Sequence, residues 1–484
     1  MKGRLRTLGR AALVALGVLT AGVLALHVGV GRAARLEPPA LKLPRAEVST
    51  SPSGLRRFGD AYARTVGSIL QVGLSGTPET IGYSHAQLVY PEMVENEGIL
   101  LGRFKEQVPL GAVRSLLLDL AQLRYRNVNG EMSRDRLREI AAGAAGFQPD
   151  PYADLFPTFQ RFVYLNALYD ISLSFEGSPL IGCTTFTFDH EATPDGSGLL
   201  ARAFDFEVDD IFDRRKAVFL VREDGKIPFA SVAWPGLVGV VSGMNLEGVA
   251  VVVHGGRARE PRALGEPVVH ALRRVLSEAR TTEDAARLLA ERQAMVSHIV
   301  IVTDAHGHSA VIERAPGTAD TLRDLPPRAA TTNHFESALR DDPKNLRVRE
   351  KTSTLPRRAR GDRLLADLPT NAPVTPLDAA RLLRDRNAAD GSALPLGDRR
   401  AINALIATHG VIMQTGPRVL WVSESPHLLG KFRAFDLKRL LAAGYDPEHD
   451  AEALAPLPED ELLTSGEYAK WAEKGGQPSA VGRQ

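Results

Sequence analysis

A single cysteine, Cys183, stands in a chain of 484 residues, directly after Gly182. With no second cysteine it cannot form a disulfide within the chain, so it is either a small buried hydrophobe or a reactive thiol. The preceding glycine points to the second. A thiolate that attacks the carbonyl of the residue before it forms a thioester and frees its own α-amino group, which requires a backbone that tolerates strain, as glycine does. Hydrolysis would leave Cys183 as a new N-terminus. Its amine, with a reference pKa near 7.7–8.0, can take the proton of its own thiol without a histidine.

An arginine and an aspartate, Arg202 and Asp205, lie in the next apolar run, Leu199-Leu-Ala-Arg-Ala-Phe-Asp-Phe-Glu207. An exposed Arg–Asp pair would contribute under ~1 kcal/mol and do nothing else. On a strand, residues three apart face opposite sides, so joint action requires a bulge, a turn, or Asp205 at the strand end.

The elements around these residues change character at Gly182. Before it, Gly111 to Tyr125 and Ser133 to Ala145 carry apolar residues at helical spacing, the second capped by Ser133. Residues 36–182 therefore read as a mainly helical segment. After it, β-branched and aromatic runs alternate with turn signals: CTTFTFD, LLARAFDFE, KAVFLVRE, PFASVAW, LVGVVSGMN and VAVVVHG. Helices are expected over Pro267 to Ala279 and Thr282 to Ala294, then strands SHIVIVTDA and SAVIERA, then a late hairpin bent at Gly416-Pro417. Runs of strands followed by runs of helices indicate a layered α+β fold over residues 183–484, not a doubly wound sheet.

Residues 1–35 are separate. Lys2, Arg4, Arg6 and Arg10 precede an uncharged run from Ala11 to Val30, the pattern of an export signal. Twenty residues at helical rise reach roughly 30 Å, enough to span a bilayer, and basic residues ahead of the run favour a cytoplasmic N-terminus. The expectation is an extracytoplasmic protein anchored in the cytoplasmic membrane through residues 11–30. A cleaved signal, releasing a periplasmic or secreted form, is the alternative, with Gly31 and Ala33 as small residues near a cleavage site. Over the whole chain 59 basic and 58 acidic side chains nearly cancel, so no overall field collects nucleic acid. The Arg-rich stretch Arg347 to Arg363 reads as a solvated face.

Four motifs in order carry a resemblance. Ser75-Gly-Thr-Pro-Glu-Thr-Ile-Gly-Tyr-Ser-His85, Ile181-Gly-Cys-Thr-Thr-Phe186, Ala201-Arg-Ala-Phe-Asp205 and Thr331-Thr-Asn-His-Phe335 together resemble the acyl-coenzyme A:isopenicillin N (6-aminopenicillanic acid) acyltransferase family, and more distantly the choloylglycine hydrolases and penicillin V acylases. These are cysteine Ntn hydrolases, so the resemblance implies an αββα sandwich, cleavage between Gly182 and Cys183 into α and β chains, and acyl transfer through a Cys183 thioester. It also implies roles. Arg202 would hold the thiolate ionised, and Asp205 would accept hydrogen bonds from the α-amino group. Asn333 would donate to the reacting carbonyl as part of an oxyanion hole. At the second donor position the chain departs from the family, reading Val251-Val-Val-His254-Gly-Gly; His254 or a backbone N–H near Gly255 is the candidate.

The expected substrate is a small N-acylated amide, with an acyl acceptor if transfer wins over hydrolysis. No cofactor or metal is expected: His306-Gly-His308 sits in a tight turn with no cysteine nearby. Whether the chains assemble further into a homo-oligomer is left open. His334 and His409 read as structural, although an unprocessed cysteine hydrolase using one of them as base is an alternative. A non-catalytic anchored binding protein of the same fold is another.

Overall fold

The computed structural model describes residues 2–174, 181–206, 209–370, 372–450 and 454–476, with the side chains of residues 2–13, 16, 19 and 181 outside the described set. Its strands are β1 (Ser49–Thr50), β2 (Arg56–Phe58), β3 (Ala61–Val66), β4 (Ile69–Gly76), β5 (Ile181–Phe188), β6 (Leu199–Phe206), β7 (Ala217–Glu223), β8 (Phe229–Ala233), β9 (Ser242–Asn245), β10 (Ala250–Gly255), β11 (His298–Thr303), β12 (Ser309–Arg314), β13 (Thr321–Asp324), β14 (Arg328–Thr331), β15 (Ala407–Gln414), β16 (Val419–Ser423) and β17 (Phe432–Asp436). They form an 11-stranded sheet, β1-β2-β3-β4-β7-β8-β9-β10-β11-β12-β13, and a 6-stranded sheet, β14-β5-β6-β15-β16-β17. The helices that matter below are α1 (Lys2–Ala33), α2 (Pro78–Gln107), α3 (Gly111–Arg124), α4 (Arg134–Gly146), α5 (Thr158–Leu165), α6 (Leu168–Leu173), α7 (Ile211–Arg214), α8 (Val268–Glu278), α9 (Thr282–Ala290), α10 (Pro343–Lys351), α11 (Thr354–Asp367) and α12 (Pro376–Leu383).

Strand alternation builds four layers. Leu200, Val411, Met413 and Val422 of the small sheet meet Val218, Val232, Val252 and Ile301 of the large sheet in one core. The opposite face of the small sheet, Phe186, Phe188, Leu199 and Ala201, packs on Leu365 of α11 and Ala379 of α12. The outer face of the large sheet, including Phe219, Val253 and Val300, packs on α2, α4, α5 and α8 through residues such as Leu88, Ile140, Phe162 and Leu272. The result is helix, sheet, sheet, helix, the αββα order that the resemblance implied.

The segment before the junction carries the helices α2 to α6, and also strands not expected from the sequence. It supplies β1 to β4, and β4 pairs in parallel with β7 from Leu70↔Ala217 to Gly76↔Glu223. The two halves are also tied by a buried cluster. Arg136 of α4 bridges Glu139 and Glu223, and Arg273 of α8 lies 3.4 Å from Glu139 and 3.1 Å from Glu223. A chain cut at the junction would still share one sheet and one core.

The expected membrane span is not supported: among the described residues no helix is long and apolar enough to cross a membrane. Part of the run from Ala11 to Val30 lies outside the described side chains.

Candidate functional site

Cys183 is the third residue of β5, fully buried, and β5 pairs antiparallel with β6 in the register Gly182↔Asp205, Cys183↔Phe204 and Thr185↔Arg202. Side chains on one face of this pair turn inward toward the large sheet and those on the other turn toward α11. Arg202 is on the inward face with Cys183 and Thr185. Asp205 is on the outward face with Gly182. The spacing of three therefore puts the charges on opposite sides of the Gly182–Cys183 peptide. Asp205 is next to last in its strand, and the neighbouring strand β15 bulges between Ala407 and His409 beside it.

On the inward face, Arg202 Nη2 donates to Cys183 Sγ at 3.2 Å and to the Val253 carbonyl, and Nη1 donates to the Val241 carbonyl at 2.7 Å and to Ser242 Oγ at 2.5 Å. The Phe204 ring centroid lies 4.1 Å from Arg202 Cζ, a cation–π contact. The guanidinium is thus held rigidly with one nitrogen aimed at sulfur. Burial pushes the Cys183 thiol up, while the charge and hydrogen bond of Arg202 pull it down. Ser242 Oγ also meets His409 Nε2 at 2.9 Å. Burial, with Arg202 and Lys216 nearby, holds His409 well below its ordinary pKa and so neutral.

On the outward face, burial lifts the Asp205 carboxyl to about 6, against the pull of Arg357 and other cations. Asp205 Oδ1 is buried without a hydrogen-bond partner among the described residues. A Cβ on Gly182 would lie 3.1 Å from Asp205 Oδ2 and 3.3 Å from its Cβ. Gly182 is not among the glycines of positive φ, so in the uncut chain this glycine is needed for close approach to Asp205 and not for an unusual dihedral.

Asn333 reaches the junction with the opposite end from the one expected. Its Oδ1 accepts from Cys183 N at 2.8 Å and from Arg357 Nη2 at 2.8 Å, while its Nδ2 donates to the Gly255 carbonyl at 3.0 Å. Two donors on one atom fix the amide orientation, since the NH2 group cannot accept. The Asn333 amide nitrogen is therefore already engaged. His254 is engaged too: Nδ1 must donate to the Thr332 carbonyl at 3.2 Å, so Nε2 accepts from Thr185 Oγ1 at 2.7 Å. Burial first, then Arg202 and Arg357, keep it neutral.

Arg357 was hidden in the sequence. It lies in the stretch read as a solvated face, yet it is buried on α11 and donates to the Cys183 carbonyl, to Thr184 Oγ1 at 2.9 Å and to Asn333. The available signal was periodicity: Thr354, Arg357, Arg360 and Gly361 share the buried face of α11. Ser242 and Tyr169 carried no motif at all. His334 bonds Thr332 Oγ1 at 3.2 Å and Thr354 Oγ1 at 3.0 Å.

An apolar cleft is walled by Phe204, the strand partner of Cys183, with Phe206 and Trp234 from the segment after the junction, and by Phe162, Leu165 and Tyr169 from the segment before it. A cleft with this lining suits a small organic group. Elsewhere, Glu283, Asp304 and His308 could converge on a metal. Asp304 already accepts from the backbone N–H groups of Thr282, His306 and His308, and the His308 ring meets Glu283 at 2.8 Å and Asp324 at 2.9 Å. His308 is thus paired with carboxylates of α9 and β13.

Residues 192–394 match the family model described as acyl-coenzyme A:6-aminopenicillanic acid acyl-transferase. The match spans less than half of the chain. It includes Arg202, Asp205, His254, Asn333 and Arg357 and begins after Cys183, and over those residues it shows the resemblance read from the motifs. A curated relative of uncharacterised role from Archaeoglobus fulgidus is 27% identical over 247 residues, 48% of this chain, and the chain spans only 41% of that protein. Among solved structures, the fold is similar to an N-acylethanolamine-hydrolyzing acid amidase ortholog from Caenorhabditis elegans, at 14% identity and TM-score 0.34 over 48% of this chain and 93% of that one. It is also similar to a conjugated bile acid hydrolase from Clostridium perfringens, at 12% identity and TM-score 0.38 over 56% and 98% of the two chains. A penicillin V acylase from Agrobacterium tumefaciens gives 16% identity and TM-score 0.37 over 56% and 90%.

Proposed function

We propose that this protein is a self-activating cysteine amidohydrolase or acyltransferase that cuts itself between Gly182 and Cys183 and then moves the acyl group of a small N-acyl amide through a Cys183 thioester. One observation carries the reading: the buried Cys183 thiol has a fixed guanidinium nitrogen 3.2 Å away, while its own backbone nitrogen is held at 2.8 Å by Asn333 Oδ1. An ordinary buried cysteine needs neither.

In activation, Cys183 sulfur bonds to the Gly182 carbonyl carbon, the C–N bond breaks, and the nitrogen takes up a proton to become the α-amino group. Water then releases Gly182 as a carboxylate. The same Asn333 oxygen that accepts from the peptide N–H would accept from the new amine, and Asp205, adjacent through Gly182, would accept a second hydrogen bond from it. In turnover the amine receives the thiol proton, sulfur attacks the substrate carbonyl, and the proton passes to the leaving nitrogen as its C–N bond breaks. Water or an acceptor amine then resolves the thioester. Among the described residues no histidine is hydrogen-bonded to Sγ, which supports the amine as base over a histidine.

Mass measurement in denaturant tests this. Active material should separate into two chains, the second beginning at Cys183. Active material that consists only of uncut chain would refute the reading.

A further inference from the structure

An acyl-enzyme mechanism needs a donor for the oxyanion that forms as sulfur bonds to the carbonyl carbon, and the groups first suited to that task are occupied. Asn333 Nδ2 faces the Gly255 carbonyl. Both His254 nitrogens are bonded. Arg357 is turned to the Cys183 carbonyl, Thr184 and Asn333, and both terminal nitrogens of Arg202 are bonded.

Tyr169 differs from all of these. It stands on α6, before the junction, on the wall of the apolar cleft beside Phe204, the strand partner of Cys183. Its hydroxyl is buried and has no hydrogen-bond partner among the described residues. A buried hydroxyl left unpaired in this way is destabilising, and such a cost persists where another demand keeps it. The hydroxyl belongs to the cleft that Phe204, the strand partner of Cys183, also walls, and it is not bonded to Sγ; the charges of Cys183 and Arg202 both act on it. An oxyanion donor has to stand near the nucleophile without bonding it, since the carbonyl oxygen must fit between the two. Burial, reinforced by the Cys183 charge, holds the phenol well above its ordinary range, so it carries its proton at neutral pH.

We infer that Tyr169 is a catalytic residue, the hydroxyl donor to the oxyanion, supplied by the segment that lies before the cleavage junction. The inference rests on the acyl-enzyme reading above. As the C–S bond forms, the carbonyl π electrons move to oxygen and Tyr169 Oη–H donates to that oxygen without transferring its proton. When the C–N bond breaks, the electrons return and the hydrogen bond relaxes. A consequence is that the chain before the junction is part of the catalytic site and must stay bound after the cut.

The test uses the full-length protein and a series of N-acyl 7-amino-4-methylcoumarins, from acetyl to dodecanoyl. Tyr169→Phe should cleave at the junction and melt like the wild type, and its kcat should fall by about 10²–10³-fold with KM changed only a few-fold. An aldehyde analogue of the best acyl group, which forms a tetrahedral adduct on Cys183, should lose affinity in parallel with kcat. Tyr169→Met carries the same expectation for kcat, so the result does not hang on one variant. A kcat within threefold of wild type in cleaved, folded Tyr169→Phe would overturn the inference and leave the Cys183 mechanism standing. Wild-type protein that never acylates Cys183 would overturn both.

Discussion

Two buried polar clusters in this molecule invite comparison. Arg136, Glu139, Glu223 and Arg273 form one, with two positive and two negative groups in mutual contact and Arg273 Nε as its one buried atom without a partner among the described residues. Cys183, Arg202, Asp205, Asn333 and Arg357 form the other. There, two buried guanidiniums face one carboxylate, and Asp205 Oδ1, Arg202 Nε and the adjoining Tyr169 Oη are all without partners among the described residues. The first cluster is closed in charge. The second is one negative charge short, which a thiolate at Cys183 would supply, and it keeps open polar atoms where a substrate and a new amine would sit. Buried polar groups left open call for a partner, which the proposed reaction would supply in the second cluster.

The comparison breaks most sharply at the nucleophile. Cys183→Ala should remain a single chain with no measurable turnover, because alanine offers nothing to attack with, and Cys183→Ser should process slowly and turn over poorly because its hydroxyl is a weak nucleophile at neutral pH. Two chains cut at the junction in Cys183→Ala would exclude self-processing. The closed cluster should behave in the opposite way. Arg136→Met leaves Glu139 and Glu223 facing Arg273 alone, and removing one partner from a buried ion network costs about 3–5 kcal/mol. Denaturant unfolding should show that loss, while kcat of folded, cleaved Arg136→Met stays within a few-fold. A large drop in kcat at unchanged stability would mean that the two clusters are not separable in role.

How much of this was legible beforehand follows from the range of each signal. Strands β5 to β12, the helices α3, α4, α8 and α9 and the hairpin bent at Gly416-Pro417 are legible in local alternation and turn chemistry, whereas the short strands β13, β14 and β17 are not. The strands β2 to β4 were missed although Gly59-Asp60 and Gly67-Ser68 are two-residue hairpin loops with glycine at φ 57° and 61°. The long helical stretch after them dominated the reading. Arg202, Asp205 and Asn333 were found through the motifs, but which end of Asn333 faces Cys183 is set by Arg357, which arrives from α11 through tertiary packing alone. His254 stood at a position where a donor was sought, and only its bonds to Thr185 and Thr332 place it in a supporting position. Tyr169 lies in no motif and is brought to the site by the packing of α6 against α8.

A smaller effect sharpens the view of Asp205. Its carboxyl is lifted from the ordinary 3.8 to about 6 in the folded protein, so between these values the folded state holds a proton that the unfolded state has lost. Stability should therefore decline as pH rises across that window from this group, and Asp205→Asn should remove that part of the slope. Activity should run the other way, since the ionised carboxylate is the form that accepts from the α-amino group. Turnover should fall on the acid side as this carboxylate protonates, and Asp205→Asn should lose its contribution to that limb. An acid limb that stays in place in Asp205→Asn would assign it to another group.

The smallest effect lies on α11 itself, where one helix carries both kinds of arginine. Arg357 is buried against Cys183 and Asn333, whereas Arg363 is exposed and pairs with Asp367 at 3.1 Å, four residues on. An exposed pair of that spacing contributes about 0.3–0.5 kcal/mol because water and salt screen it. Arg363→Ala should therefore shift the unfolding free energy by no more than about 0.5 kcal/mol, with kcat, KM and junction cleavage unchanged. Arg357→Lys keeps the charge but cannot reach the Cys183 carbonyl, Thr184 and Asn333 together, because an ammonium lacks the planar fork. It should slow junction cleavage in a time course of freshly refolded protein while Arg363→Ala cleaves at the wild-type rate. Equal rates for the two variants would show that Arg357 fastens α11 to β5 and takes no part in presenting the junction.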